Sequence, residues 1–100
     1  MIIYVDIDQT IAATPASGDS WDYTRSKPRS FYIKKINSLF EEGNEIVYWT
    51  ARGSSSGKDW SNLTKSQLEE WGCKYTRLET LKKPSFDLFI DDKAITIEKL

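Results

Sequence analysis

Two short apolar runs separated by an amphipathic stretch constrain the fold of this 100-residue chain more than any other feature. Ile2–Val5 and Ile46–Trp49 are continuous runs of β-branched and aromatic residues, a pattern typical of strands buried on both faces. From Arg29 to Glu42 apolar residues recur at helical spacing, and Gly43 ends the pattern. Strands joined through a helix pair in parallel. The sequence therefore predicts an α/β domain.

The second half of the chain continues this alternation. Thr64 and Gln67 have the spacing of a capping box, which predicts a helix over residues 65–71 that ends at Gly72. Further strands are expected after this helix, and two stretches rich in Gly, Ser, Pro and Asp are expected to be loops. The predicted strands cover residues 73–78 and 87–90, with residues 94–97 extended, and the predicted loops cover residues 14–28 and 53–58.

Strands that alternate with helices predict a three-layer α/β/α Rossmann-like sandwich around a short central parallel sheet. A chain of this length has room for one domain, residues 1–100, and buries roughly 65% of the surface that its unfolded form exposes. The sequence contains no repeat and no interdomain linker. We therefore expect one core that needs no disulfide or structural metal.

Composition excludes several kinds of chemistry and location. The chain has no histidine, which removes Ser-His-Asp and Cys-His nucleophilic schemes and histidine-rich zinc sites. Cys73 is the only cysteine, so the composition fits a reducing cytoplasm, and we expect this thiol to be inert and half-buried. The net charge of -1 gives no overall basic field for nucleic acid or an anionic membrane, no apolar run is long enough to span a bilayer, and no secretory signal is expected.

A ligand site is expected at the carboxyl edge of the sheet, where parallel strands end. The polar residues that directly follow predicted strands are Asp6, Asp8, Thr50, Arg52, Asp91 and Asp92. Side chains two apart in an extended segment point to the same side, so the first two carboxylates can face one ligand. A cluster of carboxylates suits Mg²⁺, which offsets their repulsion, and Lys83 and Arg52 are available to balance the charge of a phosphate.

These residues resemble the four sequence motifs of the haloacid dehalogenase (HAD) superfamily of phosphohydrolases. The resemblance spans nearly the whole chain, and its local segments look like small members that accompany capsule or surface-sugar biosynthesis genes or occur in phages. One departure is Gln9, where relatives most often carry glycine. The matching motifs are Asp6-Ile7-Asp8-Gln9-Thr10, then Thr50, then Lys83, then Asp91-Asp92.

The resemblance implies a role for each of these residues. Asp6 would attack phosphorus and form an aspartyl-phosphate, and Asp8 would protonate the leaving group and then activate water. Thr50 would bind the transferring phosphoryl group, and Lys83 would balance the charge around it. The implied protein ligands of Mg²⁺ are the Asp6 side chain, the Asp8 backbone carbonyl and Asp92, with Asp91 as the alternative to Asp92.

Two features carry competing interpretations. Arg52 is either a surface charge or a contact to the substrate. In residues 19–29, Trp21 and Tyr23 are interleaved with basic residues, a pattern that could stack a base and hold phosphates. The same aromatic residues could instead anchor the loop to the body of the protein, and this second interpretation is favoured.

The gaps between the motifs are too short to hold a folded cap domain of the kind that many relatives insert. We therefore expect an open, capless site that admits bulky substrates. The leading prediction is hydrolysis of a small phosphorylated metabolite, a sugar phosphate first. The alternatives are a nucleotide or polynucleotide 3′-phosphatase and, from another class, a non-catalytic phosphate-binding or regulatory module. An uncovered sheet edge would favour a homo-oligomer.

Overall fold

The centre of the fold is a parallel sheet of three strands. A computed structural model describes residues 1–100, and its sheet contains β1 (Ile2–Val5), β2 (Glu45–Trp49) and β3 (Arg77–Glu79), in that spatial order. Ile3 lies opposite Ile46 across the first strand pair. The predicted α/β class with a small parallel sheet is confirmed.

The three strands differ in burial because they differ in position. β2 lies in the middle, and its residues 46–48 are fully buried. β1 lies at an edge, where Ile2 is 62% exposed and Tyr4 is 49% exposed. The prediction that the first strand is buried on both faces is therefore wrong. Ile3 and Val5 face the core, whereas on the other face Tyr4 has only the edge-on contact of its ring with Trp49 and a hydrogen bond from Arg77.

The first helix forms where helical spacing of apolar residues predicts it. α1 covers Ser30–Glu41 and turns Ile33 and Ile36 into the core. It ends before Gly43, whose φ of +97° is a left-handed conformation that glycine adopts without steric cost. The amphipathic pattern and the glycine stop are both confirmed.

The second helix begins earlier than predicted. α2 covers Ser61–Glu70, so Thr64 and Gln67 lie inside the helix rather than at its start. The Asp59 carboxylate instead accepts a hydrogen bond from the Ser61 N–H at 2.9 Å, which satisfies one of the free donors at this terminus. The capping-box prediction is therefore wrong, whereas the predicted end at Gly72 is confirmed. Neither α1 nor α2 has the length and apolar character that a membrane crossing requires.

Both helices pack their apolar side chains into one core. Ile33 of α1 and Leu68 of α2 belong to the same buried cluster as Val5, Ile46 and Tyr48 of the sheet. Full burial of a side chain of this kind contributes about 1.5–3 kcal/mol. The structure contains two α-helices, and the three-layer arrangement of the sandwich stays a prediction.

The chain after β3 departs from the sequence prediction. Residues 87–90 form no strand, and Leu88 and Ile90 are exposed, the latter at 86%. The end of the chain forms a 3-10 helix, Ile97–Lys99, rather than an extended segment, and Ile97 packs into the core. Strand β3 also begins at residue 77 rather than 73. A short apolar run becomes a strand only by pairing, and this run has no partner strand here.

The predicted loop over residues 14–28 is more ordered than expected. Ala12–Ala13 pairs with Lys27–Pro28, and Ala16–Ser17 pairs with Ser20–Trp21, both antiparallel. A 3-10 helix, Tyr23–Arg25, connects the two ribbons. This arrangement places the loop beside the carboxyl end of β1.

Candidate functional site

The predicted site residues that follow the first two strands meet at the carboxyl edge of the sheet, and a lysine from beyond β3 joins them. They line a cavity of about 630 Å³. Asp6 and Asp8 follow β1, and Thr50 and Arg52 follow β2. The predicted site residues that line this cavity are Asp6, Asp8, Thr50, Arg52 and Lys83.

Asp6 is held by a lysine that is distant in sequence. Lys83 Nζ donates to Asp6 Oδ1 at 2.9 Å across 77 positions of the chain, and Thr10 Oγ1 donates to Oδ2 at 3.2 Å. The ammonium group also lies 5.1 Å from the centre of the Trp49 ring. Lys83, and not the neighbouring Lys82, makes the contact to Asp6. The Asp6 carboxylate is therefore oriented and charge-compensated but still open to the cavity.

The segment that carries Lys83 is tied to the loop after β2. Ser54 Oγ donates to the Lys83 carbonyl oxygen at 2.5 Å. Gly53, one residue earlier, is buried with a φ of +83°, and a Cβ there would lie 1.9 Å from the Lys58 carbonyl oxygen. Only glycine fits this close approach of backbone to backbone. The glycine-serine loop thus helps to position Lys83.

Asp8 accepts three hydrogen bonds through its carboxylate. Arg52 Nε donates to Oδ2 at 3.0 Å and Arg52 Nη2 donates to Oδ1 at 2.8 Å. Thr14 Oγ1 donates to Oδ1 at 2.5 Å. Charge-assisted bidentate pairing of this kind fixes the orientation of a carboxylate. Asp8 is therefore held in one position beside Asp6.

Arg52 has no free donor left for a substrate. Its side chain is fully buried, and its Nη1 donates to Thr64 Oγ1 and to Gln67 Oε1, while Nη2 also donates to Ser26 Oγ. With the two bonds to Asp8, all five guanidinium N–H groups are used. Arg52 is thus neither the surface charge nor the substrate contact that the sequence analysis weighed. The structure makes it a residue that positions Asp8.

Sequence reasoning missed the partners of Arg52. Thr64 and Gln67 are both buried on α2, where their spacing of three places them on one helix face. That spacing is also the spacing of a capping box, which explains the misinterpretation. Gln67 further donates to the Tyr23 carbonyl oxygen at 2.7 Å. A polar pair at this spacing on the buried face of a helix indicates a buried polar partner, which here is Arg52.

The aromatic residues of the loop over residues 19–29 play different parts. Tyr23 packs edge-on against Trp60, at 5.2 Å between ring centres, and lies under the Arg52 guanidinium at 4.8 Å. Burial, followed by the nearby Asp8 charge, raises the pKa of Tyr23. Tyr23 is therefore the anchor that the structural interpretation expected. Trp21 is 50% exposed and lines the cavity instead.

Thr50 and Gln9 complete the floor and rim of the cavity. Thr50 is buried, and its hydroxyl oxygen accepts from the Arg52 backbone N–H at 3.1 Å, which leaves its own proton free to donate. Gln9 has a φ of +63°, a left-handed conformation that is unfavourable for a residue with a Cβ. This conformation explains why glycine suits the position of Gln9.

The second pair of predicted metal ligands does not reach the site. Asp91 and Asp92 are exposed and do not line the cavity, because the preceding residues 87–90 do not join the sheet. The chain has no group of three or more acidic, cysteine or histidine side chains placed to hold a metal ion. The structure therefore does not bring Asp92, or Asp91 as its alternative, to Asp6 and Asp8.

The residues that do meet fit a Mg²⁺ ion bound by few protein ligands. Mg²⁺ is commonly held by one or two carboxylates, with waters and substrate phosphate completing its shell. The Asp6 carboxylate faces the cavity, and the Asp8 backbone carbonyl accepts no hydrogen bond within the chain. These two oxygen donors are the ones that would hold the ion.

Comparison with known proteins gives a fold and no family. No protein-family model and no curated protein matches the chain. A solved structure of a structural-genomics target protein from Vibrio cholerae is similar, with a TM-score of 0.79 and 23% sequence identity. The match covers 98% of this chain and 85% of that one. At this level of identity the likeness supports the α/β fold alone.

Proposed function

We propose that this protein is a capless HAD-type phosphatase that hydrolyses phosphomonoesters with Mg²⁺ through an aspartyl-phosphate on Asp6. One observation carries the proposal. Lys83 Nζ lies 2.9 Å from Asp6 Oδ1, at a cavity that Asp8 and Thr50 also line. A carboxylate nucleophile, a second carboxylate two residues later, a hydroxyl and a lysine are the groups that such a reaction needs.

Each group has a proposed task in the two steps of the reaction. An Asp6 oxygen attacks phosphorus while Asp8 gives a proton to the leaving oxygen, and water then attacks the aspartyl-phosphate as Asp8 takes its proton. The Thr50 hydroxyl donates to a phosphoryl oxygen, and the Lys83 ammonium stabilises the negative charge that gathers there. When bound, Mg²⁺ neutralises phosphate charge.

The proposed metal site starts from Asp6 and Asp8. The Asp6 carboxylate and the Asp8 carbonyl supply its first oxygen donors. Asp92, with Asp91 as the alternative, stays a proposed further ligand. This part of the proposal requires residues 87–92 to approach the cavity, and the free edge of β1 offers residues 87–90 a place to pair.

A sugar phosphate is the first substrate class that we propose, because no separate domain covers the cavity. A nucleotide or polynucleotide 3′-phosphate is the second class, and the observation that favours it is the exposed Trp21 at the cavity rim, which can stack on a base. A non-catalytic phosphate-binding module remains the alternative from another class.

The proposal extends to location and assembly. The lone, half-buried Cys73 thiol fits the reducing cytoplasm. The sheet has its second edge at β3, whose unpaired backbone groups are available to a second copy of the chain, which supports a homo-oligomer.

A substrate panel tests the proposed reaction. Phosphate release is measured from sugar phosphates, nucleotides and an oligonucleotide 3′-phosphate, each with Mg²⁺ and with EDTA. We expect release from at least one class in Mg²⁺ and none in EDTA. Release from no class, by folded protein that still binds phosphate esters, would favour the binding module. Equal rates in EDTA would contradict the metal requirement.

A further inference from the structure

A second groove adjoins the catalytic cavity. It has a volume of about 600 Å³ and is lined by residues 13–15 and 24–27, which belong to the Ala12–Ala13/Lys27–Pro28 ribbon, the 3-10 helix and the segments beside them, with Gln9 on its border to the first cavity. None of its eight lining residues is acidic. The two nearest carboxylates, Asp8 and Asp22, lie behind the lining, where each accepts a hydrogen bond from a lining threonine.

Two cations line this groove without a partner. Arg25 and Lys27 are exposed, and neither takes part in an ion pair or a side-chain hydrogen bond. Arg29, the next basic residue, is used differently, because it donates to the Gln9 and Thr10 carbonyl oxygens and pairs with Glu98. The basic residues of this loop thus divide into one structural cation and two free ones.

The groove meets the cavity beside Asp8, the residue that protonates the leaving group in the proposed reaction. Thr14 belongs to the groove and donates directly to Asp8 Oδ1, and Ser26 of the groove contacts Arg52, which holds Asp8. If Asp8 protonates the leaving oxygen, that oxygen must lie against Asp8. A leaving group that lies against Asp8 has room to extend over Thr14 toward Arg25 and Lys27.

From this arrangement we propose that the groove is an anion subsite for a second phosphate, carried on the leaving group of the substrate. The proposal rests on the proposed phosphatase reaction and narrows its substrate class to phosphomonoesters with a further phosphate. A small bisphosphate and the end of a nucleic-acid strand both present this chemistry.

Matched substrates test the subsite. A nucleoside 3′,5′-bisphosphate is compared with the 3′-monophosphate of the same nucleoside, with the released position identified from the products. We expect kcat/KM to be about fivefold higher for the bisphosphate, as two solvent-screened ion pairs would give. A hexose 1,6-bisphosphate against the hexose 6-phosphate repeats the comparison without a base. A short 3′-phosphorylated oligonucleotide, whose internal phosphates belong to the leaving group, is compared with the nucleoside 3′-monophosphate in the same way and tests the nucleic-acid end as substrate.

Two double variants test whether the preference for the bisphosphate over the monophosphate comes from the groove. In Arg25→Ala/Lys27→Ala the preference for the second phosphate falls to about one, whereas kcat/KM for the monophosphates changes less than about twofold. The control Lys34→Ala/Lys65→Ala removes the same charge from the exposed faces of the two helices and keeps the preference. A preference that survives loss of Arg25 and Lys27, or that is absent in the wild type for every pair, would overturn the proposal.

A binding measurement separates this proposal from the proposed reaction. Calorimetry on Asp6→Asn protein gives Kd for the nucleoside bisphosphate and monophosphate without turnover. Tighter binding of the bisphosphate, lost with Arg25 and Lys27, supports the subsite even if no substrate is hydrolysed. Equal Kd values would refute the subsite even if phosphatase activity is present.

Discussion

Arg52 donates two hydrogen bonds to the Asp8 carboxylate, from Nε at 3.0 Å and from Nη2 at 2.8 Å. The same guanidinium reaches Thr64 and Gln67 of α2 and Ser26 of the loop beside β1. One buried cation therefore connects two other parts of the chain, α2 and the loop beside β1, to the candidate acid–base residue. The position of Asp8 depends on the packing of α2 as much as on its own strand.

Arg52→Lys should damage both the fold and the reaction while leaving substrate affinity intact. Lysine keeps the charge but cannot reproduce the bidentate contact or the further three hydrogen bonds. We expect the free energy of unfolding to fall by about 3 kcal/mol, because a buried pair loses its geometry. We also expect kcat to fall with little change in KM, which steady-state kinetics and urea unfolding would measure.

The exposed Arg77 provides the matched control for this substitution. Arg77→Lys changes a surface guanidinium and should alter neither stability nor kcat appreciably. If Arg52→Lys instead raised KM strongly at unchanged stability, Arg52 would be a substrate ligand, against the structure.

Gly53→Ala should disturb the loop that positions Lys83. The added Cβ would meet the Lys58 carbonyl oxygen at 1.9 Å, so the backbone must move. Gly57→Ala is an informative control, because Gly57 has a similar φ of +77° but open space around it. We expect the free energy of unfolding of the Gly57 variant to fall by about 1 kcal/mol from backbone strain alone. The Gly53 variant should lose more stability, and it should also lose activity. Equal losses in thermal unfolding would show that the close approach to Lys58 is unimportant.

The pKa of Cys73 predicts slow modification of its thiol in the folded protein. Burial raises this pKa from 9.0 to about 11, so at about pH 8 the reactive thiolate is roughly 100-fold rarer than in the unfolded chain. Alkylation by iodoacetamide, followed by mass spectrometry with and without urea, would measure the ratio.

The same shift gives a sign for the pH dependence of stability. Because the folded-state pKa is raised, the stabilisation of the folded state by the neutral Cys73 thiol is fully present below about pH 9 and is lost as the pH rises toward 11. Cys73→Ser should be less sensitive to pH across this window. Fast alkylation of native protein would show that the thiol is accessible and contradict the burial.

Sequence patterns predicted the parts of the fold that depend on local periodicity. The strand Ile2–Val5 and the helix Ser30–Glu41 are dense, regular patterns with clear ends. Residues 88–90 are apolar like the first strand, but a strand also needs a partner, and the run itself does not determine whether one is available. Burial failed for Ile2 for a related reason, since a place at the edge of a sheet is a property of the whole fold.

The candidate site was predictable only in part. Asp6, Asp8 and Thr50 follow strands directly, so the rule for parallel sheets brings them together. The role of Arg52 could not be predicted, because its partners Thr64 and Gln67 come from a helix whose register the sequence left ambiguous. Asp91 and Asp92 failed to reach the cavity because their position depended on the strand that does not form.

The central claim is that Asp6 is the nucleophile of a phosphatase, and phosphate release from an aryl phosphate by wild type and Asp6→Asn tests it most directly. Asp87→Asn, an exposed position outside the cavity, is the matched control. We predict that Asp6→Asn loses about 1000-fold or more of the activity while its thermal unfolding stays close to that of the wild type, and that Asp87→Asn keeps full activity. Activity that survives in folded Asp6→Asn protein would contradict the account.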